Sequence, residues 1–328
     1  MKGRRVLVTG SEGFIGSHLV ERLVELGAQV RAFVLYNSFN SWGWLEDLPK
    51  PVRASIEVFP GDIRDAERVE QAVRGVDTVL HLAALIAIPY SYHASSSYLE
   101  TNVFGTHNVL QAARRNDVRR LIVTSTSEVY GTAQFVPITE QHPLVGQSPY
   151  AATKIGADQL ALSFHYAFGL PVAILRPFNT FGPRQSARAV IPTVMVQALD
   201  GKSEIRVGSI HPTRDFTFVK DTVEGFVSIA DCDAALGQVV NLGTNSEISI
   251  GDLIEKIGKI VGKELRVVSE DQRKRPARSE VERLWADNSR AAALFGWAPR
   301  HSLDRGLELS AAWLGEHLEA YKAEIYNL

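Results

Sequence analysis

A glycine-rich turn near the amino terminus constrains the fold of this chain more than any other feature. An apolar run over residues 5–9 leads into Gly10, Gly13 and Gly16, and an apolar-periodic segment follows. Strand, glycine turn, helix and a second strand over Gln29–Leu35 are typical of the first unit of a Rossmann-type fold. Glycines in this turn let the backbone approach a pyrophosphate at the helix amino terminus. The pattern predicts a dinucleotide site, with a plain structural turn as the alternative, and the candidate contacts are Gly10, Gly13, Phe14, Ile15 and Gly16.

The end of the second predicted strand leaves the identity of the dinucleotide open. An acidic residue at this point binds the ribose hydroxyls of NAD, whereas an arginine accommodates the phosphate of NADP. Here Leu35 is followed by Tyr36, Asn37 and Ser38, which include neither an acid nor an arginine. We therefore expect NAD or NADP, with NAD slightly favoured. The three residues after the strand are either ribose contacts or plain loop residues.

Further candidate cofactor contacts follow the next strands. Asp62 and Ile63 come after a predicted third strand, where the carboxylate is placed to meet an adenine amine and the isoleucine to meet the ring. A turn aspartate is the alternative for Asp62. A fourth strand over Thr78–Leu82 leads into small residues, which favour close approach of a cofactor. The remaining candidate contacts are Leu82, Ala83, Ala84 and Asn102.

A predicted helix start supplies a candidate acid–base pair. Ser148 is typical of a helix cap and Pro149 of a first helical turn. Tyr150 and Lys154 then lie on one face of the helix. A fixed ammonium near a phenol favours the phenolate, so Lys154 is expected to lower the pKa of Tyr150 toward that of a useful general base. Taken alone, the spacing also fits a chance pair of helix residues.

The segment before this helix brings two more polar groups. Leu121 to Thr124 predicts a buried strand, after which the chain carries Thr126 and Glu128. Thr126 is expected to hydrogen-bond the same substrate oxygen as Tyr150. One hydroxyl, one phenol and one carboxylate then converge, which predicts a catalytic site.

Composition restricts the class of protein. The 328 residues, with 45% hydrophobic content, are enough for one large or about two smaller domains with a sizeable core. A formal charge of −2 gives no bulk attraction to nucleic acid or to a membrane. The single cysteine, Cys232, fits a reducing, cytoplasmic location, and the scattered histidines predict no metal site. Neither a signal peptide nor a membrane span is expected.

The alternation of strands and helices loosens after residue 175, which predicts two domains. We expect an α/β protein with a Rossmann-type, doubly wound parallel sheet over residues 1–175, to which residues 213–245 also belong. A smaller C-terminal α/β substrate domain is expected over residues 176–212 and 246–328. Three other local predictions are a loop over Pro89–Ser97, a strand over Thr217–Val219 and a helix over Leu303–Tyr321.

Together these motifs resemble the extended short-chain dehydrogenase/reductase family of nucleotide-sugar enzymes, over nearly the whole chain. The segment Ser125–Gly131 is similar to the 4,6-dehydratase branch of that family. Three longer stretches, residues 31–44, 84–93 and 182–192, resemble the N-acetylglucosamine 4,6-dehydratases of legionaminic-acid-type pathways. The motifs that carry the family resemblance are Thr9–Gly16, Asp62-Ile63, Thr126, Tyr150 with Lys154, and Arg176–Asn179.

The resemblance implies a mechanism on a UDP- or GDP-linked N-acetylglucosamine, with UDP favoured. Tyr150 removes the proton of the C4 hydroxyl while NAD(P) takes the C4 hydride, and Thr126 positions the C4 oxygen. Glu128 then removes the C5 proton, water leaves from C6, and the hydride returns to C6. Lys154 tunes Tyr150 and holds the nicotinamide ribose. Because the reaction is redox-neutral, tight binding of the cofactor is expected.

The resemblance also implies substrate contacts and a partner. Asn179, Arg214 and Arg275 are assigned to the nucleotide diphosphate, and Ser127 and Arg184 are further substrate contacts. Glucose 4,6-dehydratases carry an aspartate where this chain has a serine. Thr-Ser-Glu also occurs in GDP-mannose dehydratases and in UDP-glucuronate decarboxylases, so a UDP-glucuronate decarboxylase is one alternative function. A nucleotide-sugar 4-epimerase of the same family is the other. An epimerase needs no base at C5, so Glu128 argues against it. Family members commonly form homodimers through the helices that hold Asn102 and Tyr150.

Overall fold

The protein is built on one seven-stranded parallel sheet, in a computed structural model that describes residues 1–326. The strands in chain order are β1 Arg5–Thr9, β2 Gln29–Leu35, β3 Ile56–Gly61, β4 Thr78–His81, β5 Arg120–Thr124, β6 Val172–Pro177, β7 Asn179–Phe181, β8 Glu204–Val207, β9 Thr213–Arg214, β10 Phe216–Phe218, β11 Val239–Leu242, β12 Ile248–Ser249 and β13 Arg266–Ser269. The order across the large sheet is β11-β6-β5-β4-β1-β2-β3. The direction of progression reverses between β1 and β4, where open α/β sheets bind ligands.

Helices cover both faces of the sheet. They are α1 Phe14–Glu25, α2 Lys50–Ala54, α3 Ala66–Val73, α4 Ile88–Ser91, α5 Ser95–Tyr98, α6 Gly105–Arg115, α7 Pro149–Phe168, α8 Val190–Leu199, α9 Val219–Ala230, α10 Ile250–Val261, α11 Ser289–Phe295 and α12 Leu303–Glu316. Alternate residues of β1 enter different cores, because side chains of a strand point to opposite faces. Val6 and Val8 pack into one apolar cluster with Leu19 of α1, and Leu7 packs into another with Val109 of α6. The predicted Rossmann-type fold class is confirmed.

Three small sheets follow the sixth strand of the large sheet. Strand β8 pairs with β13 in parallel, β9 pairs with β12 antiparallel, and β7 pairs with β10 in parallel. The chain returns to the large sheet at β11, which pairs with β6. The division into a cofactor domain and a substrate domain stays a prediction.

Local predictions were wrong at three places. Residues 89–97 were expected to be a loop, but α4 and α5 lie there, and Pro89 occupies the first turn of α4 as proline prefers. Val219 begins α9 instead of ending a strand, because Asp221 lies in the first helical turn, where a carboxylate is favourable. The last helix ends at Glu316, and a single 3₁₀ turn over Leu318–Ala320 follows.

A buried ion pair joins the helix that carries Tyr150 and Lys154 to the sheet. Asp158 of α7 accepts hydrogen bonds from the Arg176 guanidinium of β6 at 2.8 and 3.1 Å. The same carboxylate oxygen accepts from the Ser125 hydroxyl at 2.6 Å, immediately after β5. Arg176 also donates to the Tyr130 hydroxyl at 3.0 Å, and Tyr130 donates to Asn241 of β11 at 2.8 Å. One network therefore fixes α7 against three strands of the sheet.

Asp158→Ala is expected to lower the free energy of unfolding by about 3–5 kcal/mol, because it leaves the Arg176 charge buried without its partner. Urea denaturation measures the change. Glu25→Ala is the matched control, since it removes a carboxylate that pairs with Arg22 at 3.1 Å while 55% exposed. That control is expected to cost less than about 1 kcal/mol. Equal losses in the two variants would contradict the structural role of the buried pair.

Candidate active site

A single cavity of about 1400 Å³ runs along the carboxyl ends of β1, β4, β5 and β6. Its wall also includes residues from the small sheets and from the segment after β13. Most of the residues that the sequence indicated line this cavity. They are Gly10, Gly13, Phe14, Ile15, Gly16, Asp62, Ile63, Leu82, Ala83, Ala84, Thr126, Ser127, Glu128, Tyr150, Lys154, Asn179, Arg184, Arg214 and Arg275.

The glycine turn forms a cradle of backbone at one end of the cavity. Gly10 has a φ of +67°, and a Cβ on it would lie 2.9 Å from the backbone of Ala83. A Cβ on Gly16 would lie 2.1 Å from the carbonyl oxygen of Gly10. Gly13 precedes the first turn of α1, and no side chain caps that helix. The first amides of α1 are thus available to an anion, and the cradle fits the pyrophosphate of a dinucleotide.

A buried hydroxyl–imidazole chain holds the two strand ends beside this cradle. The Thr9 hydroxyl lies 2.8 Å from His81 Nδ1 and accepts hydrogen bonds from the amides of Leu82 and Ala83, both at 3.1 Å. His81 Nε2 lies 3.0 Å from the Thr106 hydroxyl. Burial, together with the charge of Lys154, lowers the pKa of His81 to about 3, so the ring stays neutral. The backbone after β4 is thereby fixed where it faces the glycine turn.

The candidate catalytic residues converge as the sequence indicated. The predicted cap of α7 is confirmed, since the Ser148 hydroxyl accepts from the amide of Ala151 at 3.1 Å. Thr126 caps a 3₁₀ turn over Ser127–Tyr130, and its hydroxyl lies close enough to the Tyr150 phenol to oppose the rise in the pKa of that phenol. Glu128 lies in the same turn, close enough to the phenol to raise its pKa. Hydroxyl, phenol and carboxylate therefore face one space.

The expectation that Lys154 lowers the pKa of Tyr150 was wrong. Burial raises the pKa of Tyr150 well above its ordinary value, the hydrogen bond to Thr126 opposes this, and the charge of Glu128 adds to it. Burial also lowers the pKa of Lys154, whose ammonium donates to the carbonyl of Thr124 at 2.5 Å. Spacing along a helix does not reveal that both groups are removed from water, and desolvation opposes the charged form of each.

Two arginines and two glutamates form a charged cluster across the cavity from the glycine turn. The Arg275 guanidinium lies 3.4 Å from Glu128 and 3.7 Å from Glu280, and Arg214 lies 3.3 Å from Glu280. Although burial lowers the pKa of Arg275, the two carboxylates raise it overall, so its charge is secure. The two guanidinium groups fit an anionic ligand with several acceptors. In the same cavity wall, the buried Asn179 Oδ1 has no hydrogen-bond partner and can accept from a ligand donor.

Other residues that were predicted to contact a ligand line the cavity but are already paired with protein side chains. Arg64 donates to both carboxylate oxygens of Asp62, at 2.6 to 3.1 Å, so the adenine contact proposed for Asp62 competes with an ion pair. Arg184 has a φ of +68° and donates to Glu21 at 3.0 Å. Ser127 is buried and begins the 3₁₀ turn that also contains Glu128.

The structure does not bring four predicted cofactor contacts into the cavity wall. The side chain of Asn37 holds its own loop by bonding the backbone of Leu35, Phe39 and Ser41. Asn102 is buried and uses its amide on the backbone of Leu85 and the hydroxyl of Thr153, so it positions the cavity wall from behind. The other two are Tyr36, which is 70% exposed, and Ser38.

Sequence reasoning missed four acidic residues that line the cavity, namely Glu12, Glu46, Asp47 and Glu280. Glu12 lies inside the glycine motif, and its Oε1 accepts from the amide of Leu35 at 2.9 Å. Glu280 links the two arginines of the charged cluster. The carboxylate within a cofactor motif is a sequence signal that could have identified Glu12. Glu280 lies five residues after Arg275, but its other partner, Arg214, is 66 residues away.

No helix within residues 1–326 is long and apolar enough to cross a membrane. The same residues contain no group of three or more His, Cys, Asp or Glu side chains arranged to hold a metal ion.

Comparison with known proteins gives the family. The family model described as GDP-mannose 4,6-dehydratase matches residues 7–309. The chain belongs to this family. It is 33% identical to a dTDP-glucose 4,6-dehydratase of Streptomyces griseus, over 95% of this chain and 94% of the relative. The predicted kinship with the nucleotide-sugar enzymes of the extended short-chain dehydrogenase/reductase group is thereby confirmed.

Solved structures with the same fold include both dehydratases and epimerases. The dTDP-glucose 4,6-dehydratase of Streptomyces venezuelae with NAD bound has a TM-score of 0.85 and 29% identity, over 97% of this chain and 99% of that one. A UDP-N-acetylglucosamine 4-epimerase of Methanobrevibacter ruminantium, in complex with UDP-N-acetylmuramic acid, has a TM-score of 0.86 and 29% identity. The match covers 97% of this chain and all of that one, so the fold alone does not choose between the two reactions.

Gly16→Ala is expected to remove most of the predicted bound dinucleotide, because the new methyl group would occupy the cradle beside the Gly10 carbonyl. Chromatography of the supernatant after denaturing the purified protein measures the dinucleotide per protein. Gly251→Ala, in α10, is the matched control, since its Cβ would come no closer than 3.7 Å to any neighbouring atom. The control should retain the dinucleotide. Wild-type content in Gly16→Ala would show that the cradle is not the binding site.

Proposed function

We propose that the protein is an NAD(P)-dependent nucleotide-sugar 4,6-dehydratase. Its substrate is an NDP-N-acetylglucosamine, with UDP favoured over GDP, and its product is the 4-keto-6-deoxy sugar. The observation that carries the proposal is the position of Glu128, which shares one cavity with Thr126, with Tyr150 and with the dinucleotide cradle. A 4-epimerase has no use for a base at C5, whereas a dehydratase requires one.

Tyr150 and Thr126 act on the C4 hydroxyl of the sugar. The Tyr150 phenolate accepts the hydroxyl proton, and its high pKa makes it a strong base once formed. The nearby Thr126 hydroxyl favours the ionised phenol. When bound, a nicotinamide dinucleotide would supply a hydride acceptor for C4 and, once reduced, a hydride donor for C6. Lys154, held at the Thr124 carbonyl, fixes the end of β5 beside the phenol.

Glu128 acts on the C5 proton of the sugar. A 4-ketone acidifies that proton, and a carboxylate within reach accepts it as water leaves from C6. The Arg275 guanidinium lies 3.4 Å from Glu128 and helps to hold this carboxylate in place. The short 3₁₀ turn places this carboxylate by local backbone geometry, two residues after Thr126.

The charged cluster is assigned to the nucleotide diphosphate. Arg214 and Arg275 each hold a carboxylate at more than 3.2 Å, which leaves further donors for phosphate oxygens. The pairing with Glu128 and Glu280 keeps two buried guanidinium groups compensated. Asn179 contributes an unpaired amide oxygen for a donor of the ligand.

Two further proposals concern location and assembly. One cysteine in 328 residues supports a reducing, cytoplasmic location.

A homodimer through α6 and α7 is supported by large apolar side chains exposed on or next to these helices. They are Leu99, Phe104, Tyr166 and Phe168.

Mass spectrometry of products from a substrate panel tests the proposed reaction. The panel is UDP-N-acetylglucosamine, GDP-N-acetylglucosamine and UDP-glucuronate. A dehydratase lowers the mass of an N-acetylglucosamine nucleotide by one water. Loss of carbon dioxide from UDP-glucuronate, with both hexosamines untouched, would show a decarboxylase instead. A stereoisomer of unchanged mass would show an epimerase.

The same assay tests the role of Glu128. Glu128→Gln is expected to reduce water loss by at least about a hundredfold, because an amide cannot take the C5 proton. Glu282→Gln is the control, since it neutralises an exposed carboxylate on a neighbouring segment. Near wild-type water loss in Glu128→Gln would remove the main support for the dehydratase.

A further inference from the structure

Glu12 carries a buried carboxylate oxygen that no protein group satisfies. Its Oε1 accepts from the amide of Leu35, while its Oε2 is buried without a hydrogen-bond partner. Burial raises the pKa of Glu12, and the hydrogen bond from Leu35 opposes the rise. A buried acceptor without a donor costs free energy, so a ligand that supplies the donor gains affinity.

Glu12 contacts the end of β2, which is the part of a Rossmann-type fold that distinguishes NAD from NADP. Leu35 is the last residue of β2, and both residues line the cavity. In Rossmann-type proteins a carboxylate at this strand end accepts from the ribose hydroxyls of NAD. This chain has no acid at the end of β2, but Glu12 reaches the same strand end from the glycine turn.

The loop after β2 holds Glu12 in place. The amide of Trp44 donates to the Glu12 carbonyl at 3.0 Å. Gly43 has a φ of +52°, and a Cβ on it would lie 2.8 Å from that same carbonyl. The backbone of Glu12 is therefore clamped between the glycine turn and this loop, which orients its side chain toward β2.

The charges near this end of the cavity disfavour an added phosphate. Arg64 is paired with Asp62 at 2.6 Å and with Glu100 at 3.3 Å. Arg31, which lies on β2, is paired with Glu57 at 2.8 Å. A phosphate on the ribose would meet the Glu12 carboxylate as a like charge, while both arginines already hold carboxylates.

We propose that Glu12 replaces the missing strand-end acid, accepts a hydrogen bond from the adenosine ribose 2′-hydroxyl, and makes the protein selective for NAD over NADP. The proposal rests on the proposed function only in requiring a nicotinamide dinucleotide. It names a specificity-determining residue within the glycine motif, where the sequence alone left the choice of cofactor open.

A competition experiment without any sugar substrate tests the proposal. Purified protein is brought to equilibrium with equal concentrations of NAD⁺, NADP⁺ and 2′-deoxy-NAD⁺, re-isolated, and its bound dinucleotides are released and quantified. The wild type is expected to favour NAD⁺ over each competitor by at least about tenfold. Glu12→Gln keeps an acceptor for Leu35 but loses the charge, and should reduce both preferences by about tenfold.

Glu67→Gln is the matched control, because it neutralises an exposed carboxylate on α3 that does not line the cavity, and it should leave both preferences unchanged. Thermal unfolding checks that each variant is folded. Equal uptake of NAD⁺ with either competitor by the wild type would overturn the proposal whatever the variants do. Wild-type preferences in Glu12→Gln would also overturn it. Since no sugar is present, failure of the dehydratase assay and failure of this experiment are separate outcomes.

Discussion

The ion pair between Asp158 and Arg176 is the interaction on which the rest of the site depends. It is buried, and its partners lie on α7 and β6. Through Ser125 it reaches the loop that carries Thr126 and Glu128. Tyr150 and Lys154 lie on the same helix as Asp158. The hydrogen bonds of Asp158 therefore fix the position of the Tyr150 phenol relative to the segment that carries Thr126 and Glu128. A buried pair adds little net stability against an apolar core, but loss of one partner is costly.

Burial governs the electrostatics of the site as strongly as pairing does. The phenol of Tyr150 and the ammonium of Lys154 are both pushed toward their neutral forms. Arg275 keeps its charge because two carboxylates outweigh its burial. Burial therefore opposes charge at Tyr150 and Lys154, whereas ion pairs preserve it at Arg275. A diphosphate entering the cluster would accept from the donors that Arg214 and Arg275 do not give to Glu280 and Glu128.

Local chemistry accounts for what the sequence predicted well. Ser148 and Pro149 fix a helix start by capping, and Gly10 and Gly16 are required by backbone contacts that admit no side chain. Some failures came where partners are distant in sequence, as where Asn102 supports the cavity wall through Leu85 and Thr153. The ion pair between Arg64 and Asp62 is local, but the side-chain direction that forms it depends on the fold of the loop after β3.

The same limit applies to charge and burial. The spacing of Tyr150 and Lys154 predicts proximity on a helix, but the pKa of each depends on burial among residues from other elements. Glu12 was missed because an acidic residue at the end of β2 is expected to follow β2 in the sequence. The carboxylate that lies at this strand end comes instead from the glycine turn, which precedes β2. The order of the strands across the sheet decides which strand ends lie next to each other, and this order cannot be read from the sequence.

The most direct test of the central claim, dehydration at a site shared by Tyr150 and Glu128, follows a hydrogen through the reaction. UDP-N-acetylglucosamine deuterated at C4 is turned over by the purified protein, and the product is analysed by mass spectrometry and deuterium NMR. The account predicts a product that has lost one water and carries the deuterium at C6. Deuterium remaining at C4 without loss of water, or its escape to solvent or to added cofactor, would contradict the account.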